Sequence, residues 1–338
     1  MKRIFILLVV MLMTVGLFAE ESVLIDFTKL VANFTPEPVN GRDQLPQNKE
    51  TVMNFSDRVG VRYDAQNEGG MLKTSLAHEN WTVTLNSSAR NVVRSGLSFV
   101  KKTESTQYGE LMGVRINFPT EQWNSHAFIK PPFEIPAFEY GEVSDNGQIT
   151  EPAAGRMNDP SRFENGYGVV KNVGGIKRLA VNVYGLQFPH SLSIILIDNA
   201  GNERTMFMGY LNFTGWKELY WDNPAWIENV VNRDLRLYPL YPVSTPFVKF
   251  GGFLIQRDAD KAGGDFITYF RDVKVIYDKA IEDTERDIND EGMWHIIQTR
   301  EEAKMKWEMS RFGEKQILRY LELQKQAQEF NFTESPKK

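Results

Sequence analysis

The sequence predicts a mainly β fold, a β-sandwich with long surface loops and a C-terminal amphipathic α-helical extension. Three observations predict it. Apolar residues recur in period two over most of the chain, turn-forming residues separate those runs, and the pattern shifts to helical spacing after Tyr277. The 338 residues are 42% hydrophobic and 25% charged, which excludes a disordered or collagen-like chain. Lys plus Arg is 39 against 44 Asp plus Glu, so the net charge of −5 lacks the basic field of a nucleic-acid binder. With no Cys there is no disulfide, cysteine–zinc site, iron–sulfur cluster, thiol nucleophile or acylated lipoprotein cysteine.

Residues 1–19 read as a signal peptide. Lys2 and Arg3 precede the apolar run from Ile4 to Val15, and Ala19 stands before Glu20 and Glu21. A basic start, a short apolar stretch and a small residue at the break mark a secretory leader cleaved near Ala19. The alternative is a membrane anchor, but the run falls short of the ~18–20 residues that span a bilayer. No later segment is apolar enough to cross, so the expected mature chain is exported and has no membrane span. The lack of Cys suits an oxidising compartment.

Residues 20–282 form the expected sandwich. Val23, Ile25 and Phe27 alternate with polar neighbours or Leu24, as do Trp81, Val83 and Leu85, and then Val114, Ile116 and Phe118. Leu179, Val181 and Val183 follow. Leu192 to Ile197 is a continuous apolar run, ended by the turn Asp198-Asn199-Ala200-Gly201 and answered by Met206 to Tyr210. Phe253 with Ile255, Phe266 to Phe270, and Val273 to Tyr277 complete the strands. Pro36 to Gln66 and Gly141 to Gly168 are polar or rich in Gly, Pro, Asn and Asp, and read as long surface loops. Residues 283–330 are dominated by Glu, Lys, Arg, Gln, Met and Leu, the good helix formers. Met293, Ile297, Met305, Met309 and Phe312 recur at helical steps, predicting one amphipathic helix or two broken near Gly313. That stripe either packs on the sandwich or meets another subunit. Residues 331–338 are the expected frayed tail.

The sequence assigns no catalytic residue, cofactor site or metal site, and predicts no enzyme. His78, His126, His190 and His295 lie in no metal-spaced motif. Gly166-Tyr167-Gly168 opens like a dinucleotide loop but lacks its third glycine, since Lys171 stands there. Asp198, Glu218, Asp222 and Asp265 lie near aromatics. A glycosidase pair among them needs a separation of about 5–10 Å in a cleft, which the sequence does not reveal. Asp26 and Asp272 fall short of the ligands a calcium ion requires. The richest region runs from Phe213 to Trp226. Its Trp216, Tyr220, Trp221 and Trp226 are the candidate assembly or ligand contacts, because such rings stack on sugars or anchor protein interfaces. The competing reading places Trp216 and Trp221 in the core, and it is the preferred one for Trp216; Trp226, beside Pro224, is expected in a loop and is the better contact candidate.

The order of these pieces resembles carbohydrate-binding jelly rolls: Ile197 to Gly201, then Phe213 to Trp216, then Arg271-Asp272-Val273 to Tyr277. The expected sandwich is therefore jelly-roll-like. A closer resemblance covers almost all of the chain after the leader. Its pieces are Val23 to Phe27, Asn80 to Arg90, Leu111 to Pro119, Lys130-Pro131-Pro132-Phe133, Met208 to Trp216, Trp221-Asp222-Asn223-Pro224, Gly264 to Tyr269, Lys274 to Asp278 and Asp287 to Glu291. In that order the chain resembles the FlaA family, outer-layer (sheath) proteins of spirochaete periplasmic flagellar filaments. The resemblance implies a non-enzymatic structural protein that coats a core of flagellin-like FlaB subunits and tunes filament shape and stiffness for motility. The implied partners are core flagellin and neighbouring copies of the chain in the sheath, and the implied location is the periplasm. No catalytic residue is carried over. The alternative is a secreted carbohydrate-binding module of jelly-roll type.

Overall fold

The computed structural model describes residues 20–55, 72–86, 96–138, 163–226, 246–280 and 290–333. The leader and the greater part of the Gly141 to Gly168 loop lie outside the described residues. Two antiparallel sheets face each other. The first runs in the order β12 (Thr214–Asp222), β9 (Val173–Leu186), β14 (Gly264–Lys279), β6 (Gly109–Phe118) and β5 (Phe99–Ser105). β1 (Glu20–Asp26) pairs with the second half of β14. The second runs β11 (Glu203–Tyr210), β10 (Ser191–Ile197), β13 (Phe247–Arg257), β7 (Ser125–Lys130) and β4 (Thr82–Asn86), with β8 (Val169–Lys171) on β13. A ribbon of β2 (Met53–Asn54) and β3 (Lys73–Thr74) stands apart.

The alternating residues of each strand meet between the sheets. Leu179, Val181 and Val183 of β9 and Val114, Ile116 and Phe118 of β6 are all buried. Phe253 of β13 stacks on Phe270 of β14 with ring centroids 4.0 Å apart, joining the two layers. Phe27 wedges in from a 3-10 turn, 5.7 Å from both Phe253 and Trp81. Asp26 holds that turn by accepting from the Thr28 amide at 3.0 Å. Each such ring buried contributes about 1.5–3 kcal/mol. β10 is buried at every position, so its sequence reads as an unbroken apolar run rather than an alternation. β13 is nearly as buried, and a bulge sits where it passes β10. There Gly252, at φ 133°, lies so near Ile129 O that a Cβ would sit 2.3 Å from it. Only glycine fits.

Three expectations change. Phe266 to Phe270 and Val273 to Tyr277 are one 16-residue strand, with a register shift at Arg271 that separates the two apolar runs. At β1 a bulge buries both Leu24 and Ile25, so strict alternation fails and Phe27 falls in the turn. The C-terminal helix is not broken at Gly313. α1 (Asp290–Trp294) ends at His295, whose φ of 51° is left-handed, and α2 (Ile296–Thr333) runs for 38 residues. That is about 57 Å at the α-helical rise. β5, β7 and β8 carry no strong apolar alternation, and the sequence does not predict them.

Candidate functional site

α2 runs past one end of the second sheet, touching the β10–β11 turn, the start of β13, the segment after β7 and the start of β4. Its inner stripe is Met305, Met309, Phe312 and Tyr320, all packed against the core. Phe312 is fully buried, its ring 6.0 Å from Phe55. A charged cluster lies under the same helix. Lys249 of β13, fully buried, donates to Glu308 of α2 at 2.5 Å and to Glu134 at 3.0 Å. Arg311 and Lys315 of the next turns reach Glu134 at 2.5 and 3.0 Å. Burial alone raises the Glu134 carboxyl, but Lys249, Lys315 and Arg311 outweigh it and hold it below the usual range. Lys304 contacts Asn199 in the β10–β11 turn, and Arg319 donates to Pro131 O at 2.9 Å. The helix is thus tied along its length from β10 to the start of the segment after β7.

Of the predicted helix residues, Ile297 is half-buried and Met293 is 66% exposed. The left-handed His295 takes Met293 out of the register that Met305, Met309 and Phe312 share. The outer surface carries apolar residues the sequence reading missed: Trp294, Trp307, Leu318 and Leu321 are all exposed. Trp307, Leu318 and Leu321 lie on one stripe at steps of eleven and three. A second exposed pair, Phe207 and Tyr210, meets at 5.5 Å on edge strand β11.

The outer face of the first sheet carries no helix among the described residues. β12 turns Trp216 and Tyr220 outward and Leu219 and Trp221 inward, because successive side chains alternate. Trp221 packs against the core, while Tyr220 is exposed. Trp216 pairs in register with Tyr184 of β9, and Tyr184 with Tyr269 of β14. Their rings touch in sequence, 5.3 Å from Trp216 to Tyr184 and 5.9 Å from Tyr184 to Tyr269. Tyr269 in turn lies over Gly113 of β6, where a Cβ would sit 3.3 Å from its ring. The β5–β6 hairpin brings Tyr108 across the face to 5.0 Å from Trp216, edge-on at 88°. Tyr108, Tyr184 and Tyr269 come from three separate segments, and no local sequence signal joins them to Trp216.

Trp226 sits in the turn after β12, half-buried. Its indole N–H donates to Asp278 at 3.2 Å, and Lys177, paired with Asp278 at 2.7 Å, lies over its ring. The four carboxylates near aromatics are each engaged: Asp265 with Arg115 and Asn117, Asp222 with Arg178, Glu218 with the Tyr220 hydroxyl, and Asp198 within its own turn. Gly166 and Gly168 bridge β1 to β13, since Asp26 N donates to Gly166 O and Phe250 N to Gly168 O, both at 2.8 Å. Asp26 and Asp272 are register partners, yet Asp26 accepts from Thr28 and Asp272 from Asn182. No group of three His, Asp or Glu side chains that could hold a metal occurs among the described residues. Nor is any helix there long and apolar enough to cross a membrane.

The description "Flagellar filament outer layer protein FlaA" matches residues 44–286. The chain is 44% identical to the flagellar filament outer layer protein of Treponema pallidum (strain Nichols), over 99% of this chain and 97% of that one. The chain belongs to the FlaA family. Its FlaA relative from Spirochaeta aurantia is 40% identical over 99% of this chain and 96% of that one. Among solved structures, a family 11 carbohydrate-binding module from Clostridium thermocellum overlaps with a TM-score of 0.28 at 9% identity, over 60% of this chain and 91% of that one. A second such module, TmCBM61 in complex with a galactotriose, overlaps at 0.26 with 12% identity, over 58% and 88%. Overlaps of this size say nothing about what a FlaA chain binds.

Proposed function

We propose that the chain is a structural subunit of the outer layer of a periplasmic flagellar filament, coating a flagellin core and tuning its shape and stiffness. It reaches the periplasm through the leader cleaved near Ala19. The observation that carries this reading is near full-length similarity to two proteins named as flagellar filament outer layer proteins. The architecture supports it physically. A coat subunit needs at least two unlike association surfaces, because helical layers grow by contacts that do not close. The outer stripe of α2, with Trp307, Leu318 and Leu321, is one exposed apolar surface. Met293 and Trp294 extend it past the bend at His295. The Phe207–Tyr210 edge of β11 is another, facing outward from the same sheet's border. Phe312, Met305 and Met309 serve the fold instead, by fixing α2 to the sandwich. Tyr220 and Trp226 border the opposite face and are the remaining candidates for a neighbour.

Co-sedimentation with filaments stripped to their core tests the assignment. The wild-type chain is expected to pellet with them. The triple variant Trp307→Asp, Leu318→Asp, Leu321→Asp is expected to stay in the supernatant with its circular dichroism unchanged. If that variant, the Trp226→Ala variant and a chain lacking 283–338 all coat as well as wild type, the contact assignment is wrong.

A further inference from the structure

A cleft of about 740 Å³ opens where α2 passes the end of the second sheet. The β2–β3 ribbon, the segment from Val39 to Gln47 and the start of β4 supply its other walls. Phe55, Leu72, Trp81 and Tyr320 make much of the lining apolar, as in cavities that take small ligands. α2 contributes Gln316, Arg319 and Tyr320, which share one side of the helix at steps of three and four. That side continues the inner stripe of Met305, Met309 and Phe312. Gln316 stands four residues after Phe312, where a helix that only packs would carry an apolar side chain. It is 5% exposed, yet its side-chain amide has no hydrogen-bond partner among the described residues and gives onto the cleft.

Arg319 reaches the same cleft. Its Nη1 donates to Pro131 O at 2.9 Å and its Nη2 to Thr82 Oγ1 at 3.4 Å. Two of its five guanidinium N–H groups are thus used and three are not. No carboxylate lies within 4.0 Å of it among the described residues. Burial pulls its pKa below the ordinary guanidinium value with no charge offsetting that, and the group stays ionised at neutral pH. The cations buried in the core are better satisfied. Lys249 has Glu308 and Glu134, and Arg257 donates to the carbonyls of Lys261, Trp123 and Glu121. Arg42 and Lys73 add two further cations to the cleft, and Asp43 and Glu79 two carboxylates. Those four cancel in number, so Arg319 sets the sign of the site. Glu79 Oε2 is buried without a partner and can accept from a ligand N–H or O–H. A buried charge without a counterion is costly, and a carboxylate brought in by a ligand offsets it.

We infer that this cleft binds a carboxylate carried on an apolar body, with the carboxylate on Arg319 and Gln316 and the body against Phe55, Leu72, Trp81 and Tyr320. The planar guanidinium matches the two oxygens of a carboxylate. One net positive charge also matches one carboxylate, whereas a phosphate dianion leaves a charge uncompensated among apolar walls. A free organic acid and a carboxylate displayed by a neighbouring polypeptide share this chemistry. The site does not depend on the coat reading, because its first test uses the isolated chain.

The probe is N-acetyl-L-phenylalanine, titrated into the chain at pH 7 and read by calorimetry. Its neutral counterpart N-acetyl-L-phenylalaninamide and inorganic phosphate are the comparisons. The probe is expected to bind with a Kd of about 0.1–5 mM, and both comparisons roughly ten-fold more weakly or worse. Arg319→Met is expected to weaken the probe roughly ten-fold and Gln316→Leu roughly three-fold, with circular dichroism unchanged. Arg115→Met, on the first sheet, is expected to leave it within about two-fold. Gln316→Leu keeps the test decisive if Arg319→Met fails to fold. A second arm adds saturating probe to the chain bound on stripped filaments. Release by the probe and not by the amide reports a carboxylate displayed by a filament polypeptide; retention reports a free acid. No binding of the probe overturns the proposal. So does binding that the amide or phosphate equals, or that Arg319→Met and Gln316→Leu leave unchanged. If the chain does not bind filaments at all, the coat reading falls and the titration still decides the cleft.

Discussion

His78 and His190 are buried in separate parts of the core, and both stay neutral to about pH 4. Burial is the main cause for each. At His78 the Nε2–H donates to Phe27 O at 2.8 Å, which favours the charged form but does not offset desolvation. At His190 the ring stacks on Phe266 at 5.0 Å, and Arg257 adds to the lowering. In the unfolded chain both protonate near pH 6.5. Between about pH 6.5 and 4 the unfolded state therefore takes up more protons, and stability falls as pH drops through that window. The expected loss is up to about 3 kcal/mol per histidine, measured by urea unfolding at pH 7 and at pH 4. His190→Phe is expected to flatten part of that slope; an unchanged slope contradicts the account. Burial of His78 is not legible locally, because its carbonyl partner lies 51 residues away. Phe270 is the opposite case. Its place in an alternating run marks it as core, and the Phe253 stack confirms the layer it joins. Phe270→Ala is expected to cost roughly 3–5 kcal/mol, read as a lower urea midpoint.

Elements were legible where burial is one-sided or complete. β6 and β9 alternate because one face meets the core, and β10 is apolar throughout because both faces are covered. β7 was hidden because its inward residues, Ser125, Ala127 and Ile129, are mostly small. β14 looked like two strands because the bulge at Arg271 breaks the period. The helix face was legible through Met305, Met309 and Phe312, but the charged cluster beneath it was not. Lys249 and Glu308 are 59 residues apart. Removing one partner of a buried pair leaves the other charge uncompensated, so Lys249→Met is expected to cost about 3–5 kcal/mol. Lys249→Met with Glu308→Leu is expected to recover most of that loss. Limited proteolysis of α2 together with thermal unfolding checks both. The sign of the pH effect at Glu134 follows from its lowered pKa. Its contribution to holding α2 is present above the ordinary carboxylate range and is lost as pH falls below about 4.5.

The whole molecule is a sandwich with a long helix tied to one end of the second sheet and a row of rings on the outer face of the first. The sheet order brings Tyr184, Trp216 and Tyr269 together from three strands, with Tyr108 from a hairpin, so the sequence displayed Trp216 without its companions. The resemblance in the sequence reached the family, because ordered motifs spread along the chain survive where pairwise geometry is invisible. At this scale the chain is proposed to form a coat on a flagellar core. The most direct measurement is to purify periplasmic flagella from the native cell, strip them stepwise with acid or mild denaturant, and follow this chain beside the core flagellin by mass spectrometry. The account predicts that the chain travels with intact filaments and leaves before the core does. Recovery of the chain in the soluble periplasmic fraction, with filaments bare of it, contradicts the account.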